Sequence, residues 1–192
     1  MPIQRAKPRI ADLDQTPLTS VAKADMPTGS VLQVVHGVLD TQYSYTNSSA
    51  QWTWNDIGLS ATITPISSSS KIQIMYNVDQ FCNSNMSGGY NMGFRLMRGT
   101  TEIGRGATSS SRTRLNSMNW INVDGNAYET RNTANFHLDS PGTTSATTYK
   151  VQTSCGYTSG GNTLYIGRDL QNGTGATYGV GTSNIIVMEI AG

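Results

Sequence analysis

The chain has 192 residues, a formal net charge of +1 and only 13% charged residues, about half the usual share for a soluble domain. That balance supplies no global field to attract nucleic acid or an anionic membrane. No apolar run approaches the roughly 18 residues that a spanning helix needs, so neither nucleic-acid binding nor membrane insertion is expected.

Polarity comes instead from 21 Ser, 24 Thr and 15 Asn, beside 20 Gly. Thr suits pleated strands, and Ser, Asn and Gly suit turns. The 3 Trp, 9 Tyr and 3 Phe, with recurrent Ile/Val runs, can bury a core, which argues against a disordered polar chain. The composition predicts an all-β domain.

Residues 1–28 stand apart as the first of two units. They hold Pro2, Pro8, Pro17 and Pro27, four of the six prolines, and proline forbids a continuous helix. The apolar residues Ile3, Ile10, Leu13 and Val21 have no clean period, and Arg5, Lys7 and Arg9 form a basic start. These residues are expected to form an extended arm that lies on a neighbouring subunit; the alternative is a free tail. The segment has no apolar signal core, so the protein is expected to be made and used without export.

Residues 29–192 form the second unit, strands punctuated by turns. Gly29–Leu39 opens it. Leu59–Ile66 follows, with Ala61, Ile63 and Pro65 on one face. Lys71–Val78 alternates Ile72, Ile74, Tyr76 and Val78 against Lys71, Gln73, Met75 and Asn77, the plainest period of two in the chain. Tyr90–Arg98, Asn119–Val123 entering an Asp124-Gly125 hairpin, Ala134–Leu138, Thr147–Ser154 and the short Thr163–Ile166 continue the pattern. Tyr178–Ile190 closes it, and its apolar run from Ile185 to Ile190 reads as a strand buried on both faces. About ten strands at short spacing predict a jelly-roll or β-sandwich of two antiparallel sheets. Ile72, Ile74, Val78, Phe94, Leu96, Val151, Ile166, Ile186, Met188 and Ile190 are the expected core. With Gly192 directly after the last strand, the arm is expected to attach and the strand to complete the core.

Catalytic chemistry finds no footing. His36 and His137 are the only histidines, and no GxSxG elbow, calcium loop or phosphate loop is present. The acidic residues are scattered, Cys82 and Cys155 lack metal-site spacing, and both read as free buried thiols, with a disulfide as the alternative. A non-enzymatic protein with no cofactor and no metal is expected. Two features admit a binding role. Tyr43, Tyr45, Trp52 and Trp54 could form a surface that stacks on sugar rings, or else core or subunit interface. Arg95, Arg98, Arg105, Arg112 and Arg114, with Ser109–Ser111, read as a basic exposed loop.

Several strings resemble virion structural proteins, tail-fibre-like or decoration, of marine tailed bacteriophages. They are Met26-Pro27-Thr28-Gly29-Ser30-Val31-Leu32-Gln33-Val34-Val35, the stretch Gly58–Pro65 with its serine turn and Lys71-Ile72, Leu138-Asp139-Ser140-Pro141, Thr148-Tyr149-Lys150-Val151, and the ending Met188–Gly192. The resemblance runs from about Met26 to Gly192 and includes no catalytic group. It implies a virion location. A compact homotrimer with an arm, and no fibrous shaft between arm and domain, fits a head decoration (cement) protein. A tail-fibre or receptor-binding knob is the alternative. The expected partners are further copies of the chain, the major capsid protein or a tail component, and in the knob reading a host surface glycan.

Overall fold

The computed structural model describes residues 26–47, 52–83, 88–123, 130–156, 162–168, 173–176 and 178–192. Eleven strands occur among them: β1 (Val31–Leu39), β2 (Tyr43–Asn47), β3 (Asn55–Ile63), β4 (Lys71–Asn83), β5 (Gly88–Arg98), β6 (Thr101–Ile103), β7 (Ser117–Val123), β8 (Thr130–Asp139), β9 (Thr147–Gly156), β10 (Asn162–Ile166) and β11 (Ser183–Ile190). No helix occurs among the described residues, in keeping with a sequence poor in helix formers.

All pairings are antiparallel and build two sheets. In the first, β1 pairs β11, β11 pairs β4 and β4 pairs β8; β10 and β2 extend the lines of β11 and β1. In the second, β3 pairs β9, β9 pairs β5, and β7 and β6 share the far edge of β5. The eight main strands, counted in chain order, run first-eighth-third-sixth in one sheet and second-seventh-fourth-fifth in the other. That crossing order is a jelly roll, the two-sheet wiring in which consecutive strands alternate between layers except for the fourth and fifth, which pair within one. The two sheets approach closely at Gly37 on β1, where a Cβ would stand 2.1 Å from the carbonyl oxygen of Ser60 on β3. Only glycine fits there.

The core lies between the sheets. Ile72, Ile74, Tyr76 and Val78 of β4 face Met92, Phe94 and Leu96 of β5 and Tyr149 and Val151 of β9, all buried. The period of two in Lys71–Val78 therefore marks its inner face correctly, as do Phe94, Leu96, Val151 and Ile166. Ile57, Leu59, Ala61 and Ile63 line the inner face of β3.

The closing strand departs from the sequence reading. Its inner residues are Ser183, Ile185, Val187 and Glu189, each fully buried; Ile186, Met188 and Ile190 turn outward and are half-buried. The run is apolar on both parities, so hydropathy could not choose between them. Glu189 is admitted to the interior because its carboxylate is met on both oxygens. Gln33 Nε2 donates to Oε2 at 2.5 Å and the Ile66 backbone N–H donates to Oε1 at 2.7 Å. Burial works against its charge, but these donors outweigh it and hold the carboxyl below its usual range. The strand also begins at Ser183 rather than Tyr178. β2 and β6 lie where no strand is predicted, because Tyr43–Asn47 and Thr101–Ile103 are short and mostly polar. The Asp124-Gly125 hairpin lies outside the described residues.

Candidate functional surfaces

The two outer sheet faces differ in chemistry. On the second sheet, Asp56 of β3 accepts from Lys150 Nζ at 2.8 Å and from Gln152 Nε2 at 2.6 Å, both on β9. Gln152 Oε1 in turn accepts from Arg95 Nε of β5 at 2.6 Å, and a second Arg95 nitrogen stands 3.9 Å from Glu102 of β6. Partial burial disfavours the Asp56 charge, yet the Lys150 and Gln152 hydrogen bonds prevail and lower its pKa. The Arg95 guanidinium lies 4.6 Å from the centre of the Trp54 ring, within cation–π range. Trp54 is stacked with Trp52 at a centroid distance of 5.8 Å and 15° between planes. Trp52 rests on Gly93, where a Cβ would stand only 2.4 Å from its ring. The result is a half-exposed aromatic pair laid along an ionic ladder.

The sequence grouped four aromatics, and the structure divides them into two pairs. Tyr43 and Tyr45 lie on β2 opposite Ile166 and Leu164, the buried residues of β10. They are half-buried, and Tyr43 packs against the core cluster. Burial, then the neighbouring Tyr45 and Asp56, raise the Tyr43 pKa. Trp52 and Trp54 precede β3 and belong to the second sheet's outer side. The basic group also divides. Arg95 and Arg98 are strand residues of β5, and only Arg105, Arg112 and Arg114 occupy the loop between β6 and β7. One guanidinium nitrogen of Arg98 reaches both carboxylate oxygens of Asp139 at 3.0 Å. His36 is hydrogen-bonded to Asn184 at 3.0 Å, and the His137 ring sits against Gly104. Cys155 is buried; the Cys82 side chain lies outside the described residues. The arm residues Ile3, Arg5, Lys7, Arg9, Ile10, Leu13 and Val21 do too. Where the described chain begins, Gly29 and Ser30 are tied to Ala191 by backbone hydrogen bonds of 2.8 and 2.9 Å. The described chain therefore begins beside the end of β11. No cluster of His, Cys, Asp or Glu that could hold a metal occurs among the described residues.

The outer face of the first sheet carries a different chemistry. Strand register sets its residues in rows across β1, β11, β4 and β8: Val34–Met188–Gln73–Leu138, His36–Ile186–Met75–Phe136 and Val38–Asn184–Asn77–Ala134. None of the twelve is Asp, Glu, Lys or Arg. Phe136 is 76% exposed, Val34 57%, Leu138 49% and Val38 48%. β8 inverts the usual arrangement of an outer strand, with its apolar residues outward and Thr133, Asn135, His137 and Asp139 inward. Three of those inner residues are met by side-chain hydrogen bonds, from the neighbouring strand or from across the interior. Gln80 donates to Thr133 at 2.6 Å, Asn135 donates to Asn116 at 2.9 Å, and Tyr149 donates to Asp139 at 2.8 Å. No sequence signal pointed to this face except the doubly apolar run Ile185–Ile190.

No protein-family description matches the sequence, and no curated protein matches it. Among solved structures the chain is similar to a chain of the structure of infectious bursal disease virus Gx strain. The identity is 11% and the TM-score 0.40, over 83% of this chain and 42% of that one. The chain thus matches less than half the length of that neighbour.

Proposed function

We propose that this chain is a non-enzymatic structural protein of a virion, a homotrimeric jelly-roll domain on the particle surface. In this reading it is a head decoration (cement) protein held by residues 1–28. The observation that carries the reading is the contrast between the two outer faces. A charge-free apolar face suits burial in an assembly, and an ionic, aromatic face suits exposure to water. The resemblance of residues 26–192 to virion proteins of tailed bacteriophages supplies the particle. The arm supplies attachment: Ile3, Ile10, Leu13 and Val21 bury against a capsid or tail protein, and Arg5, Lys7 and Arg9 sit near acidic groups. Three arms on one trimer act together, because each bound arm makes the next binding local.

The Trp52–Trp54–Arg95 surface favours a second reading, a tail-fibre or receptor-binding knob whose indole pair stacks on a host glycan. Locating the tagged protein on purified particles by electron microscopy decides between head and tail. Deleting residues 2–25 tests the arm. The shortened chain is expected to fold yet fail to bind particles that lack the protein. Full decoration by the shortened chain would move attachment to the β domain.

A further inference from the structure

From the chemistry of the charge-free face we infer that the outer surface of β1, β11, β4 and β8 docks a second copy of this chain. The inference rests on the proposed oligomer and names the surface that closes it. Four strands at about 4.8 Å spacing and five residues at about 3.3 Å rise give a flat footprint of about 320 Å² for the three rows. Side chains standing out of the pleat, Phe136 above all, raise the accessible area toward the roughly 800 Å² per partner of a standard interface. A charge-free patch of that extent is of the size that commonly serves as a contact surface.

Charge selects the occupant. Recognition of an unrelated protein draws on complementary charges for register and steering, and the three rows offer none. The chain's own arm is a poor fit. Residues 1–25 carry Arg5, Lys7, Arg9, Lys23, Asp12, Asp14 and Asp25, and each charge laid on this face would lose water without gaining a partner. The surface that matches in charge, hydropathy and concentration is the same face of other copies, with the faces of three copies turned toward a common threefold axis. The inverted polarity of β8 agrees. An outer strand that hydrogen-bonds inward and turns Phe136 and Leu138 outward is shaped for a neighbour on its outer side.

The test is the mass of the full chain by light scattering at micromolar concentration, with circular dichroism as the check on folding. Phe136→Asp and Val34→Asp, on opposite edges of the face, place a charge in the contact. Thr62→Asp, exposed on β3 of the other sheet, is the control. The expected result is a trimeric native chain, monomeric but folded Phe136→Asp and Val34→Asp chains, and a trimeric Thr62→Asp chain. A dimer that both face variants dissociate also supports the docking and corrects the copy number to two. A native oligomer that both face variants retain overturns the docking and leaves the oligomer standing. A monomeric native chain overturns the oligomer and the docking together. Val34→Asp decides the matter should Phe136→Asp fail to fold.

Discussion

Ile185 and Ile186 are neighbours of identical chemistry on opposite faces of β11, so truncating each to alanine tests the parity of the closing strand. Ile185 is fully buried, and its Cγ2 already lies 2.9 Å from where a Cβ on Gly37 would stand. Packing there is close, and the cavity cannot easily collapse. Ile185→Ala removes three carbons, worth about 2.4 kcal/mol in transfer alone at about 0.8 kcal/mol each. With the cavity term the loss falls within the roughly 2–5 kcal/mol of buried large-to-small changes. At about 2–4 °C per kcal/mol for a chain of this size, the midpoint falls by about 5–20 °C. Ile186 is half-buried between His36 and Met75, so Ile186→Ala costs about 1 kcal/mol or less within one subunit. Urea unfolding of both variants at the lowest workable protein concentration, where association contributes least, measures the difference. Equal losses, or a larger loss at position 186, would refute the assignment of Ile185 and Val187 to the core.

Three further outcomes follow from buried polar groups. Tyr149 is fully buried and its hydroxyl donates to the Asp139 carboxylate. Tyr149→Phe is expected to cost about 1.5–3 kcal/mol, the worth of a hydrogen bond to a charged group, and an unchanged urea midpoint would remove that bond from the account. Burial pushes the Tyr76 hydroxyl up to about 12 from an ordinary value of 10.0, against the Ser117 and Asn135 contacts that lower it. Its contribution to stability is therefore complete below pH 10 and lost as pH rises toward 12. Tyr76→Phe should flatten the stability profile over that window, and an identical alkaline decline in both chains would contradict it. Glu189, held below its ordinary 4.5, contributes stability above that pH that fades as pH falls through its folded value. Glu189→Gln should make the acid transition shallower, as read by the urea midpoint between neutral pH and pH 3.

Much of the architecture was legible in the residues. Scarce helix formers, abundant Thr and the alternation of Ile72, Ile74, Tyr76 and Val78 fix an all-β chain and the inner face of its central strand, because a pleat sends successive side chains to opposite sides. A strand apolar on one parity announces its own orientation in this way. The sequence could not orient β11, where both parities are apolar and the choice was made by donors at Gln33 and Ile66 that satisfy Glu189 from distant parts of the chain. Nor could it place Thr133, Asn135 and Asp139 inside, since burying a polar group is costly without a partner, and their partners Gln80, Asn116, Arg98 and Tyr149 lie elsewhere in the chain. Pairing order brought Trp54 over Arg95 and kept Tyr43 and Tyr45 apart from it. Local period records that a strand has two faces; which face water sees depends on hydrogen bonds closed between residues far apart in sequence, and only the folded sheets bring those together.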